Sequence, residues 1–365
     1  FLRRLENRIQ MLRDQQTHVV PDAASDRARL AFATGKKAEG LLFLRQALQL
    51  ARKNGYTWLL WWWHPASMAR LCAIALEAGI EVAYSQKIIR TCRLKPAPRA
   101  VISDTWPYPL QITTLGRFGI IQDGQPLLFS GKEPRKPLEM LKALIAFGGD
   151  NVREEQISEA LWPEADGDAA HKSFEVCLVR LRKLVGGQQA IRCQGGLVSI
   201  KAGWCRVDTM VLADILEEAE KSWLQADHRP AAALPADHFG QAVQKGERAV
   251  NMYSVDFLPA ETHQAWAISY RERLRNRTIQ LLARLAAHWQ GAGALEKTLT
   301  CYLRGLEIDE LREEFYQQLM ICQQQLGRHA EAVITYQRCH QTLSAGLGIR
   351  PSPTTESIFR TITTS

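Results

Sequence analysis

Apolar residues recur at helical spacing along most of the chain. From residue 3 to about residue 93 they follow an i, i+3, i+4 pattern, which breaks near Pro21 and again around His64 and Pro65. The pattern resumes at Met210 and continues to the end, except over a polar stretch at residues 227–238. It therefore predicts helices at both ends of the chain.

The segment between these ends has a different pattern. Residues 95–109 contain four prolines, too many for a helix or an interior strand. Short alternating runs follow and predict a small antiparallel sheet. Three helical stretches and a hairpin with a Gln-Gly-Gly turn come next. The predicted strands span residues 110–115, 118–121 and 126–129, the helices 135–147, 153–161 and 168–185, and the hairpin strands 190–193 and 197–201.

The helix predicted at residues 168–185 has an apolar face and a cationic face. Four apolar side chains fall within about 40° of one another at about 100° per residue: Phe174, Leu178, Leu181 and Val185. The opposite face presents three cations and two valines: Lys172, Val176, Val179, Arg180 and Lys183. Arginine and lysine bond guanine or phosphate, and valine can meet a thymine methyl group. This face is a candidate for reading DNA, whereas three cations alone would favour a solvated surface.

Residues next to this face carry further expectations. Arg182 lies nearer the flank of the helix, where we expect a phosphate contact or an ion pair with the preceding helix. Asp166 and Asp168 are expected to cap the helix, because a carboxylate there would repel a phosphate. Arg192 is placed to reach the minor groove from the hairpin, and a hairpin that only closes the sheet is the equal alternative.

A repeat of 34 residues near the end of the chain joins Gly293 to Gly327. Matching offsets pair Thr298 with Ala332, Tyr302 with Tyr336, and Gly305 with Cys339. This is the tetratricopeptide period, in which small residues let two helices approach each other. The same offsets from Gly35 lead to Gly40, Leu44 and Ala47, which predicts the same unit near the start of the chain.

Four sequences in the middle segment carry a family resemblance: LQITTLGRFGI at residues 110–120, LIAFGGDNVREEQISEALWP at 144–163, FEVCLVRLRKLVG at 174–186 and IRCQGGLVSI at 191–200. Together they resemble the OmpR-type winged helix in the version used by the SARP family of antibiotic-pathway regulators. The resemblance implies that Arg180 reads bases and that Arg182 holds a phosphate. The family usually has a polar or basic residue in place of Val179 and an aromatic residue in place of Leu197.

A second resemblance covers residues 253–362. It is carried by Trp266 and by YSVDFLP at residues 253–259, RERL at 271–274, DELREEFYQQLM at 309–320, LGRHAEAVITYQRC at 326–339 and LGIRPSPTT at 347–355. These sequences resemble the bacterial transcriptional activator domain that follows such winged helices. The N-terminal helices resemble the tail of a helical-repeat sensor of the MalT type, and the sequence contains no Gly-rich phosphate loop.

The patterns and the resemblances together predict a mainly α chain with a small α+β domain, a winged helix-turn-helix flanked by tetratricopeptide-like repeats. We expect a helical repeat at residues 1–95, a proline-rich linker at 96–109, a winged-helix DNA-binding domain at 110–208 and an activator domain at 209–365. Because helical spacing is already present from Phe1, through Leu2 and Leu12, we expect a fragment of a longer protein.

The expected function is sequence-specific DNA binding by a cytoplasmic transcriptional activator. The expected partners are double-stranded DNA, RNA polymerase and a second copy of the chain, and the family resemblance implies tandem direct repeats in the DNA. No cofactor, metal ion or membrane is expected to bind. The expected DNA-binding residues are Lys172, Ser173, Val176, Val179, Arg180, Arg182, Lys183 and Arg192.

Charge alone does not identify the DNA-binding segment. The net charge is +8, but residues 110–208 hold 13 basic and 12 acidic side chains, whereas residues 1–109 hold 17 and 8. The local placement of cations must therefore carry the assignment. The eight cysteines are scattered singly, which predicts reduced thiols in apolar surroundings rather than a disulfide framework or a zinc site.

Two other classes of function compete with DNA binding. For an enzyme, no arrangement of a carboxylate and a nucleophile stands out near His64, His171 or His263, and no metal-ligand spacing or phosphate loop occurs. A helical-repeat scaffold that binds peptides would explain both ends of the chain but not its middle segment. The aromatic run at residues 58–63 is expected to form a partner surface or to pack between repeats.

Overall fold

The computed structural model describes residues 21–56, 64–96, 105–129, 133–227 and 238–364. The apolar spacing from Leu2 to Leu12 and the tryptophans at 58 and 61–63 lie outside these residues. Within them, helices dominate both ends and a small mixed segment lies between, as the sequence predicts.

The N-terminal helices are α1 Pro21–Ala33, α2 Lys37–Lys53, α3 Pro65–Glu77 and α4 Val82–Thr91. Pro21 and Pro65 each stand at a helix start, where the missing N–H of proline costs nothing. Gly35 turns the chain between α1 and α2 with φ of +78°. Gly40 then lets the two helices approach, because a Cβ there would lie 2.7 Å from the Phe32 ring. Trp106 and Tyr108 complete the apolar core of this helical unit.

The middle segment contains two sheets and three helices. Along the chain its elements are β1 Leu110–Thr113, β2 Gly119–Gln122, β3 Gln125–Pro126, α5 Arg135–Ala146, β4 Val152–Arg153, α6 Glu154–Leu161, α7 Gly167–Val185, β5 Ile191–Gln194, β6 Leu197–Ile200 and β7 Cys205–Val207. The first sheet has the strand order β3-β2-β1-β7, and the second has the order β4-β6-β5.

The sheets differ from the sequence prediction in two respects. The third predicted strand is shorter: β3 ends at Pro126, Leu127 N makes one further bond to Ile120 O at 2.8 Å, and Leu128 is 85% exposed. The structure also adds β4 and β7. The latter pairs parallel to β1, with Leu110 opposite Cys205, so the first sheet is mixed rather than antiparallel.

The C-terminal helices are α8 Asp208–Asp227, α9 His238–Met252, α10 Ala265–Gly291, α11 Leu295–Ile308, α12 Glu313–Gln325, α13 His329–Leu347 and α14 Pro353–Thr364. The prediction of helix here was wrong for residues 253–264. The backbone of that segment bonds the loop that follows β1: Gly116 N donates to Asp256 O at 2.9 Å, and Leu258 N donates to Thr114 O at 2.9 Å.

The 34-residue repeat corresponds to successive helical hairpins. Gly293 and Gly327 both have φ of +72° in the turns between consecutive helices. Within the first repeat, Gly305 makes room for Phe315, because a Cβ at Gly305 would lie 1.9 Å from that ring. Tyr302 packs edge to face on Phe315 with the ring centroids 5.4 Å apart. The repeat therefore places a small residue where two helices pack closely.

The middle segment and the first C-terminal helices share one apolar core, which runs from Leu110 to Leu285. A polar contact also joins the middle segment to the C-terminal helices. The Asp208 carboxylate at the start of α8 accepts hydrogen bonds from the backbone N–H groups of Thr114 at 2.8 Å and Leu115 at 2.9 Å. Helix α7 is thus held by a core that extends into α8, α9 and α10.

Candidate nucleic-acid interface

Helix α7 has a defined cap at each end. The Asp166 side chain accepts a hydrogen bond from Ala169 N at 2.8 Å, which confirms the predicted capping role of this residue. At the other end, Gly186 adopts the left-handed conformation with φ of +93°, which glycine tolerates without strain. The helix spans one residue more than predicted, Gly167–Val185, and both ends are fixed locally by sequence.

One face of α7 is buried as predicted. Phe174, Leu178, Leu181 and Val185 all lie in the shared core, and Cys177 joins them. Burial raises the pKa of the Cys177 thiol to about 11, so this cysteine is a neutral apolar side chain rather than a nucleophile. The face therefore positions the helix and carries no chemistry.

The opposite face of α7 is open to solvent. Val176 is 51% exposed and Val179 is 50% exposed, although neither has a packing reason to be apolar. Lys172, Arg180 and Lys183 are exposed around the valines, and Ser173 is half-buried beside them. None of the three cations makes a hydrogen bond or an ion pair within the described part of the chain. Their donors thus remain available to an anionic partner.

Arg182 behaves differently from these cations. It is half-buried, and its Nε donates a hydrogen bond to Ile191 O at 3.2 Å. Of the two alternatives the sequence left, an ion pair with α6 is not formed within the described residues. The arginine ties α7 to the first strand of the hairpin.

The hairpin both closes a sheet and projects a cation. Strand β6 pairs with β4, where Val152 lies opposite Val198, and with β5. Gly195 and Gly196 form its turn, each with positive φ. Arg192 on β5 is exposed, and Leu197 beside the turn is 38% exposed.

His171 is a feature of this surface that the sequence did not bring out. Its Nδ1 is hydrogen-bonded to Glu154 Oε1 at the start of α6, and its Nε2 lies 3.7 Å from Glu175 Oε1. The hydrogen bond to Glu154 and the charge of that carboxylate raise the pKa of the imidazole above 6.5. The contact joins the two helices of the helix-turn-helix at an exposed position. Its partner lies 17 residues earlier, at no helical spacing.

No group of three or more His, Cys, Asp and Glu side chains in the described residues is arranged to hold a metal ion. No helix in the same residues is both long and apolar enough to cross a membrane.

Comparison with known proteins points to a class of regulator. Residues 222–363 match the family model of the bacterial transcriptional activator domain. Over 230 residues the chain is 25% identical to the regulatory protein AfsR of Streptomyces griseus, covering 63% of this chain and 22% of AfsR. Mycobacterium tuberculosis EmbR, solved in complex with a low-affinity phosphopeptide, shares the fold with a TM-score of 0.51 and 22% identity, over 70% of this chain and 65% of that structure.

A short match of another kind also occurs. Over 35 residues the chain is 69% identical to a bifunctional glutamine synthetase adenylyltransferase/adenylyl-removing enzyme of Stenotrophomonas maltophilia. The match covers 10% of this chain and 4% of that enzyme, too little to carry an enzymatic assignment. The longer matches point to transcription regulation rather than catalysis.

Proposed function

We propose, from the premise that this chain is a SARP-type transcriptional regulator, that it binds double-stranded DNA in a sequence-specific manner with α7 in the major groove. The observation that carries the proposal is the outer face of α7. Two half-exposed valines lie there among three cations that have no protein partner in the described residues. Apolar and cationic groups on one helix face match the edges of base pairs and the phosphates beside them.

Each residue of this face has a proposed role. Arg180 bonds the O6 and N7 atoms of a guanine, because it lies one helical turn from Val176 and shares its direction. Val176 and Val179 contact thymine methyl groups. Lys172, Ser173 and Lys183 contact phosphates, which fixes the register of the helix on the duplex. Arg182 contacts a phosphate while its Nε holds Ile191 O, and Arg192 reaches the minor groove from the hairpin.

The remaining parts of the chain are proposed to connect this surface to transcription. We retain the division into a helical repeat at residues 1–95, a linker at 96–109, the DNA-binding domain at 110–208 and the activator domain at 209–365. The helical repeats mediate self-association, signal input or contact with RNA polymerase, and two copies bind tandem direct repeats. The continuous core from Leu110 to Leu285 supports such coupling, because α7 cannot shift without moving its neighbours.

A selection experiment tests DNA binding against the alternative of a helical-repeat scaffold. Purified protein is incubated with a random duplex library, and the bound DNA is sequenced. We expect one enriched motif, and an affinity that falls with salt by a slope of about −0.9 per phosphate contact. A scaffold without specific DNA binding would enrich no motif, and that result would overturn the proposal.

A further inference from the structure

A cleft of about 810 Å³ lies between the N-terminal helices and the winged helix. One wall is formed by the end of α4 and the residues that follow it, and the other by the loop after β6 and the turn between β2 and β3. The two walls come close at Lys95 and Gly203, since a Cβ built on Gly203 would lie 3.7 Å from the Lys95 side chain. The volume is within the range of small-molecule sites in proteins.

The cleft is strongly cationic. Arg90, Arg93 and Lys95 line it from the N-terminal side, and Lys201 lines it from the winged helix. All four are exposed, and none forms an ion pair within the residues that the structure describes. Asp123 is the one acidic side chain among the lining residues. Four cations against one carboxylate along the lining favour a ligand with several negative charges.

An aromatic side chain lies in the same cleft. Trp204 is half-buried, and its backbone is held on both sides: its N–H donates to Lys201 O at 2.8 Å, and its carbonyl accepts from Leu110 N at 3.2 Å. The indole packs against the apolar core of the winged helix and presents a planar aromatic surface to the cleft. Its Nε1 lies 3.5 Å from where a Cβ on Gly186 would be, so the ring adjoins the C-terminal cap of α7.

We infer that this cleft binds a nucleotide. Its phosphates would contact Arg90, Arg93, Lys95 and Lys201, and its planar base would pack against Trp204. Since Arg90, Arg93 and Lys95 lie at and just after the end of α4, whereas Lys201 and Trp204 belong to the winged helix, the ligand bridges the two parts next to the end of α7. The site also gives a purpose to part of the basic excess in residues 1–109. Binding of the nucleotide requires no DNA and does not rest on the proposed function, whereas an effect of the bound nucleotide on DNA binding by α7 would rest on it.

Calorimetric titration of the whole chain without DNA tests the inference, with ATP and GTP as probes. Pyrophosphate tests the phosphate contacts without the base, and adenosine tests the base contact without the phosphates. The test variant is R90Q/R93Q. The control is R70Q/K87Q, which removes two exposed cations from α3 and α4 that do not line the cleft. We expect ATP or GTP to bind more tightly than either fragment, with a loss of about tenfold or more in R90Q/R93Q and about twofold or less in the control.

Three results would overturn the inference: no binding of either nucleotide, an equal loss in both variants, or no loss in R90Q/R93Q. Pyrophosphate binding as tight as that of ATP would contradict the role of Trp204. A separate mobility-shift titration shows whether R90Q/R93Q weakens DNA binding. If it does so while nucleotides do not bind, these arginines contact DNA and the cleft is no ligand site. Failure of the wild-type chain to bind DNA would refute the proposed function but leave the calorimetric result standing.

Discussion

Two basic segments of the chain look alike in sequence but use their cations differently. Residues 180–183 read RLRK, and residues 271–277 read RERLRNR. In the second segment the arginines bond the protein itself: Arg271 donates to Phe257 O at 2.8 Å, and Arg275 donates to Ile308 O at 2.9 Å. In the first segment, Arg180 and Lys183 have no hydrogen bond or ion pair within the described residues.

The difference separates cations that hold the fold from cations that can bind a partner. Moving an arginine that already bonds backbone carbonyls onto DNA would leave those carbonyls unpaired. An exposed arginine without a partner has no such cost. Arg182 is intermediate, because only its Nε is engaged. The pairing of each cation therefore distinguishes the two segments where net charge does not.

Among the changes that test this comparison, Arg271→Ala should have the largest effect on the stability of the fold. The change removes donors from the carbonyls of Phe257, Leu258 and Glu261, which link α10 to the segment that docks on the sheet. We expect the free energy of unfolding to fall by about 3 kcal/mol, as measured by urea denaturation. Arg338→Ala, which removes an exposed arginine from α13, is the matched control and should change stability by about 0.5 kcal/mol or less. Equal losses of unfolding free energy in the two variants would contradict the claim that Arg271 holds the fold.

A smaller effect is expected at Arg277. Its guanidinium bonds both oxygens of Glu220, at 2.9 and 3.0 Å, and joins α10 to α8. Both side chains are partly exposed, so solvent screens the pair. A double-mutant cycle with Arg277→Ala and Glu220→Ala should give a coupling energy of about 0.5 to 1 kcal/mol in denaturation. A coupling energy of zero would show that the Arg277–Glu220 pair does not stabilise the fold.

Lys183→Ala should change DNA binding and leave the stability of the fold unchanged. We expect no change in the unfolding midpoint, because the side chain is exposed and has no partner in the described residues. The slope of log affinity against log salt should become shallower by about 0.9, the share of one phosphate contact. The slope is measured by fluorescence anisotropy with labelled duplex at several salt concentrations. An unchanged slope would show that Lys183 faces solvent rather than DNA.

The smallest expected effect concerns pH. The hydrogen bond from His171 to Glu154 raises the pKa of the imidazole above 6.5 in the folded chain, so the contact stabilises the fold below that ordinary value. The stabilisation is lost as pH rises through the raised pKa. His171→Ala should therefore lower the urea midpoint at about pH 6 and leave it unchanged at about pH 9. A difference that grows toward high pH would contradict the assigned contact.

Much of this surface could be predicted from the sequence because its signals are local. The apolar spacing from Phe174 to Val185 and the glycines after it determine where α7 lies and which face it buries. Strand β7 could not be predicted, since its three residues are too few to establish an alternating pattern and their parallel partner is distant in sequence. The docking of residues 253–264 and the partners of Arg271 were also missed. Their acceptors are backbone carbonyls, which every residue carries and no motif marks.

The affinity of Arg180→Ala for selected and random duplexes tests the central claim most directly. The variant should unfold at the wild-type urea concentration, since Arg180 has no hydrogen bond or ion pair in the described residues. We predict a loss of about 1 to 3 kcal/mol on the selected motif, a relaxed preference at one base pair, and little change on random DNA. An equal loss on both duplexes would mean that Arg180 contacts phosphate, and α7 would then not read bases through this residue.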